Sequence, residues 1–324
     1  MFNIIIPVFS IILTGFLFGK ARSSYKLCDK LLNDYVFYIA LPALLFNSVT
    51  KANIAELKQW GFLSAVLLGI AIIYILGIIL ARKNKIPSPD ASIFGMAACY
   101  GTAGYLGIPI LELAFEEKVA VPAAIATIMH NVPAVLAVTL AHDIHTTRQE
   151  PHHSQRRTIK VAKETARKLS TLVFKNPLII AVLFGFIFLF GSIKVPSAIE
   201  SYAKFLGASA GPTALFALGF SLSRFIIDKS FLNNKISTIA PLIFFKLVLH
   251  PLVTFAIAFF IFRIPVDSLW LVAAVVMAAQ PIGAGVSIFA SKYHAQQETV
   301  SIAVVLSILI AIITVPATLR LFSA

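Results

Sequence analysis

Gly101–Pro109 reads GTAGYLGIP and lies in the middle of an otherwise apolar segment. Three glycines and a proline within nine residues disfavour a helix, because glycine costs backbone entropy and proline lacks an N–H donor. The flanking sequence, Ala91–Tyr100 before it and Ile110–Phe115 after it, is apolar enough for a membrane span. A break there is costly, since unpaired backbone groups in hydrocarbon cost several kcal/mol each. It is tolerable only where the loosened backbone lines a polar cavity inside the protein.

The rest of the chain supports a membrane setting. Of 324 residues, 59% are hydrophobic, and the mean hydropathy is +0.90. A soluble domain has about 45–50% apolar residues. The excess falls in blocks of the length that crosses a hydrocarbon core. Ten spans are predicted, at 2–20, 31–50, 60–81, 92–115, 120–143, 176–193, 203–223, 236–262, 267–290 and 299–321. The first has no basic leader and no small-residue cleavage site, and reads as a retained span.

The formal net charge is +13. When the spans alternate direction, nineteen Lys and Arg fall on one side and seven on the other, with Lys246 inside a span. This asymmetry marks the basic side as cytoplasmic and predicts both termini outside the cytoplasm, in a cell inner membrane. The positive charge is scattered over span ends, which favours anionic lipid as its partner and removes support for nucleic acid binding. Cys28 and Cys99 lie on different segments without metal-ligand spacing and read as small packing residues.

One connection is longer than the others, from about His145 to Phe174. Its second part places Ile159, Ala162, Ala166, Leu169 and Val173 on one helical face, with basic residues elsewhere. This suits an interfacial helix on the inner leaflet, and equally a solvated linker. His152 and His153 within it are a weak metal-binding pair.

The long connection divides the chain into 1–143 and 176–324, with 144–175 between them, and the halves share landmarks in matching order. Pro7 and Gly15 match Pro177 and Gly185 at an offset of 170, as does PALLF from Pro42 with PTALF from Pro212. GTAGYLGIP has its counterpart in AAQPIGAGVSIFA, Ala278–Ala290, and VPA recurs at Val132–Ala134 and Val315–Ala317. Five spans is an odd number, so the second half must run opposite to the first. An inverted repeat with paired helix breaks is characteristic of secondary transporters, and places half-helix N-termini, which attract anions, around a central site.

YIALPALLFNSV (Tyr38–Val49), YGTAGYLGIPIL (Tyr100–Leu111) and QPIGAGVSIFASKY (Gln280–Tyr293) resemble the auxin efflux carrier family, which includes plant auxin exporters and bacterial permeases for malate, malonate and related acids. The resemblance covers nearly the whole chain. It implies an all-α polytopic fold of ten helices, a 5+5 inverted repeat of the crossover type also found in sodium/proton antiporters and bile acid transporters. Spans four and nine would cross where they unwind. Residues 1–50 and 176–223 would form a scaffold, and 60–143 with 236–321 a moving transport domain. The family's crossover prolines fall on Pro109 and Pro281, and its asparagines on Thr102 and Gly285. Backbone N–H groups around Gly104, Gly107, Gly283 and Gly285, with Thr102, Tyr105, Gln280 and Ser287, then stand in as substrate ligands. Fold analogy also suggests a homodimer through the scaffold.

Polar residues at membrane depth are further candidates. Asn47, Ser48 and Lys51 end span two and suit a polar rim at the outer mouth, unless Lys51 snorkels. His130, next to Asn131, suits a proton carrier, with an ordinary pKa near 6.5, or equally a hydrogen-bonded structural histidine. Lys246 and His250 stand one turn apart in span eight; Lys246 reads equally as a snorkelling residue and as a substrate contact. The broken cores of spans four and nine contain no acidic residue, which favours an anionic or neutral substrate over a metal ion. Uptake of a small mono- or dicarboxylate by alternating access is the leading expectation, with proton coupling or the membrane potential as the drive. A sodium-coupled carrier of the bile acid type is the alternative. His-Glu-x-x-His and a P-loop are absent from the sequence, which argues against a metalloprotease or an ATP-driven pump. No cofactor is expected.

Overall fold

The computed structural model describes residues 2–22, 28–51, 58–149, 177–223 and 229–322. The expected interfacial helix, His152 and His153 lie outside the described residues. The described residues form ten helical segments. They are α1 (Phe2–Ala21), α2 (28–50), α3 (Trp60–Lys83), α4a (Ala91–Cys99) and α4b (103–115), α5 (Ala120–Gln149), α6 (Pro177–Phe190), α7 (197–222), α8 (229–261), α9a (Leu269–Ala278) and α9b (Gly285–Lys292), and α10 (Gln297–Arg320). Among the described residues, four stretches are long and apolar enough to cross a membrane by themselves: Trp60–Lys83, Ala120–His142, Lys235–Ile261 and Gln297–Arg320.

The helices outlast their apolar blocks. Helix α7 begins at Ser197, after Pro196, six residues before the predicted start. Its first turns carry Glu200 and Lys204, which depress hydropathy without disfavouring a helix. Helix α8 likewise begins at Lys229, ahead of its apolar run.

Prolines shape several of these helices. A π-helical turn at Val36–Ala40 precedes Pro42, one at Ala103–Gly107 precedes Pro109, and one at Phe245–Leu249 precedes Pro251. In all three the turn ends two residues before the proline. The proline ring clashes with the carbonyl four residues back and supplies no N–H to it. Widening that turn relieves the clash without ending the helix.

Packing divides the helices into two groups. Helices α1, α2, α6 and α7 pack chiefly on one another, and α3, α4, α5, α8, α9 and α10 do the same. Helices α1 and α7 touch backbone to backbone: a methyl group on Gly15 would collide with the carbonyl of Phe216, and one on Gly219 with the carbonyl of Ile12. Small residues are what allow helix backbones to approach this closely in lipid. In the larger group, Gly77 and Gly95 bring α3 against α4a, and Phe62 meets Trp270 edge-on at 5.0 Å between α3 and α9a. Outward-facing Ile180, Leu183, Phe184 and Ile187 on α6, and Leu67, Leu68, Ile72 and Ile75 on α3, are exposed. This surface suits contact with hydrocarbon.

Candidate functional site

Both interrupted segments are broken where the sequence predicts it, and the breaks meet in the protein interior. Helix α4a ends as Tyr100 turns extended (φ −79°, ψ 119°), and α9a ends at Ala279, before Gln280 and Pro281. The residue preceding a proline disfavours helical backbone, which explains the second stop. Gly101 and Ile282 then pair as a single antiparallel bridge. The Thr102 amide donates to the Pro281 carbonyl at 3.0 Å, and the Gly283 amide donates to the Tyr100 carbonyl at 3.1 Å. The Thr102 hydroxyl adds a bond to the same Pro281 carbonyl at 3.2 Å. The Ile282 amide donates to Ser307 Oγ on α10 at 3.0 Å. Each break thus satisfies much of the backbone that the other exposes, as an apolar setting demands.

Beside the bridge lies a cavity of about 90 Å³. Tyr100, Gly101, Thr102, Ala103 and Gly104 line one side, and Gly283, Ala284 and Gly285 another. Asn131 of α5 contributes its carboxamide, whose Oδ1 has no hydrogen-bond partner. Phe37 and Leu41 of α2 and Leu178 of α6 complete the lining. The cavity therefore lies between the two helix groups, with polar groups from one and an apolar wall from the other. The N-termini of α4b and α9b, at Ala103–Gly104 and Ala284–Gly285, open onto it. The first-turn N–H groups of a helix have no acceptors within it and carry its positive dipole end. Among the described residues, no acidic one lines the cavity. The arrangement favours a small anion.

The structure brings together some of the predicted site residues and separates others. Thr102, Gly104, Gly283 and Gly285 line the cavity, as does Asn131, which the sequence suggested for coupling. Pro281 contributes its carbonyl to the bridge. Tyr105 lies in the π turn; its side chain is outside the described set. Gly107 faces Met277 and Gln280, and Pro109 packs against Gly211 of α7, so both act in packing between helices. Gln280 is buried, with Nε2 donating to the Val276 carbonyl and Oε1 unpartnered, and it does not line the cavity. Ser287 pairs with Ser301 at 3.4 Å, away from the cavity.

The expected polar rim is divided. Asn47 is buried, whereas Lys51 forms an exposed ion pair with Glu200 at 3.0 Å, in a surface depression with Thr50, Ser192 and Lys194. The side chain of Ser48 lies outside the described set.

Lys246 and His250 stand behind the bridge, fully buried. Lys246 Nζ donates to the Ala278 carbonyl at 2.5 Å and lies 3.4 Å from His250 Nδ1. The snorkelling alternative is thereby replaced: the ammonium turns inward to the end of α9a. The His130 ring lies 5.2 Å from that of His250 and beside the Cys99 carbonyl, outside hydrogen-bonding geometry. Sequence reasoning missed Tyr100, whose ring packs on Gly283 and Gly285, and the apolar wall of Phe37, Leu41 and Leu178. Apolar residues of a cavity wall look like those facing lipid, so no sequence signal singled out that wall.

A family model described as membrane transport protein matches residues 1–319. A protein of Rhizobium meliloti (strain 1021) named "Putative malonate transporter" is 27% identical over 329 residues, covering 98% of this chain and 95% of its own. An uncharacterised transporter of Escherichia coli (strain K12), YfdV, is 22% identical over 321 residues, covering 96% and 94%. The lysosomal cholesterol signaling protein of Mus musculus is 26% identical over 233 residues, which are 68% of this chain and 26% of the mouse protein.

Proposed function

From the premise that this chain belongs to the membrane transport protein family, the family of the auxin efflux carriers, we propose that it carries small organic anions, mono- or dicarboxylates of the malonate and malate class, across the membrane. It is a multi-pass membrane transporter and not an enzyme. The carboxylate specificity is supported by one observation above others: two half-helix N-termini, Thr102 and Asn131 converge on one cavity that, among the described residues, has no acidic lining. Its volume of about 90 Å³ favours a compact acid, since sites for drug-sized ligands run to about 300–1,000 Å³. The relative named for malonate supports the same class.

On this reading the ten helices form a 5+5 inverted repeat with crossed fourth and ninth spans. The group α1, α2, α6 and α7 serves as scaffold, and the other six helices carry the site past it by alternating access. Substrate contacts come from the N–H groups at Ala103–Gly104 and Ala284–Gly285, from Thr102 and from Asn131. Lys194, beside the Lys51–Glu200 ion pair, gives the outer depression a net positive charge that attracts anions. The protein resides in the inner membrane with both termini outside the cytoplasm, and a homodimer through α1, α2, α6 and α7 fits the scaffold role. Uptake of labelled malonate, malate, lactate and indole-3-acetate into proteoliposomes tests the proposal, with pH and sodium gradients imposed in turn. Saturable uptake of at least one of these acids is expected, and failure to accumulate any of them would overturn the assignment. A sodium requirement would favour the bile acid type of carrier.

A further inference from the structure

We propose that Lys246 is the protein's own tethered cation, seated between the negative ends of α4a and α9a where a free monovalent cation would otherwise be needed. Its side chain is wholly buried, and Nζ donates to the Ala278 carbonyl at the C-terminus of α9a. It also lies against the stop of α4a: a methyl group on Gly101 would stand 3.3 Å from both Cε and Nζ. Each helix C-terminus carries about half a negative elementary charge, so two converging ends present roughly one. A single ammonium neutralises that charge.

Among the described residues, the groups facing Lys246 are His250 on its own helix, Cys99 on α4a and His130 on α5, and none is a carboxylate. An ammonium that donates toward His250 Nδ1 requires that imidazole to be neutral, with its proton on Nε2. The counter-charge therefore comes from the backbone of the two broken helices. The π turn at Phe245–Leu249, which widens the helix ahead of Pro251, is where Lys246 sits.

The geometry has a directional consequence. With the negative ends neutralised by a fixed charge, the positive ends at Ala103 and Ala284 remain free for the anion on the far side of the Gly101–Ile282 bridge. This consequence, carriage without sodium, rests on the function proposed above; the seat itself does not.

The test reads thermal melting of the purified protein in detergent with no organic acid present, so its failure and the failure of the anion assignment are distinguishable. Wild type is expected to melt at the same temperature when sodium is exchanged for N-methylglucamine at constant ionic strength. Lys246→Met, nearly isosteric but uncharged, is expected to melt lower by at least about 4 °C. In Lys246→Ala, propylammonium replaces the missing atoms and should restore most of the loss, whereas propan-1-ol of equal length should not. Stabilisation of wild type by sodium, Lys246→Met melting like wild type, or equal rescue by propan-1-ol would each overturn the proposal. In proteoliposomes, wild-type malonate uptake is expected to persist when choline replaces sodium.

Discussion

Thr102 holds the carbonyl of Pro281 twice, through its amide at 3.0 Å and its hydroxyl at 3.2 Å, across 179 residues of sequence. The hydroxyl is therefore committed mainly to joining the two broken helices, and its share in substrate contact is secondary.

Replacing that hydroxyl with a methyl group separates the two roles. Thr102→Val removes one hydrogen bond while the amide bond to Pro281 persists. A buried hydrogen bond is worth about 1 kcal/mol net, so uptake should fall roughly fivefold with the protein still folded. Thr102→Ser should transport at close to the wild-type rate. Initial rates of labelled acid uptake in proteoliposomes measure both.

Asn131 brings to the cavity a polar side chain with a buried Oδ1 that has no partner. Asn131→Ala should raise the apparent KM for the acid by about fivefold with little change in maximal rate. Asn131→Asp puts a carboxylate where the substrate's own must sit. Like-charge juxtaposition costs several kcal/mol, so uptake should drop at least tenfold. Concentration series of uptake for the two variants separate these effects.

The glycine seam between α1 and α7 tests the division into two groups of helices. Gly219→Ala drives a methyl group into the carbonyl of Ile12, and Gly15→Ala does the same at Phe216. Overpacking of this kind costs about 1–3 kcal/mol. Each variant should melt several degrees lower in detergent, while the folded fraction keeps its apparent KM, because neither residue lines the cavity.

Much of this was legible in the chain. The apolar blocks are long and separated by charged turns, so ten segments could be counted. The breaks in the fourth and ninth segments could be read because glycine and proline have few other uses inside a span. The rest depended on tertiary contacts. Hydropathy could not reveal that α7 starts at Ser197, since Glu200 and Lys204 belong to a helix but not to an apolar block. Lys246 reads in sequence equally as a snorkelling residue and as a substrate contact, because its charge is visible there and its partner, the carbonyl of Ala278, is not. Gln280 and Ser287 sit in the right stretch yet point elsewhere: Gln280 turns back to the Val276 carbonyl, and Ser287 faces Ser301 of α10. Tyr100 went unnoticed because an aromatic residue beside glycines is ordinary in such a span.

The bridge between Gly101 and Ile282, with Ser307 and Lys246 bonded behind it, fastens both broken helices into one rigid slab. On the proposed mechanism that slab cannot open like a hinge; it has to slide bodily along the wall of Phe37, Leu41 and Leu178. Such a slide drags a fresh belt of side chains against the surrounding acyl chains with every cycle. The thickness and stiffness of the host bilayer then become part of the energy barrier, and turnover should track lipid chain length as closely as it tracks any residue in the cavity.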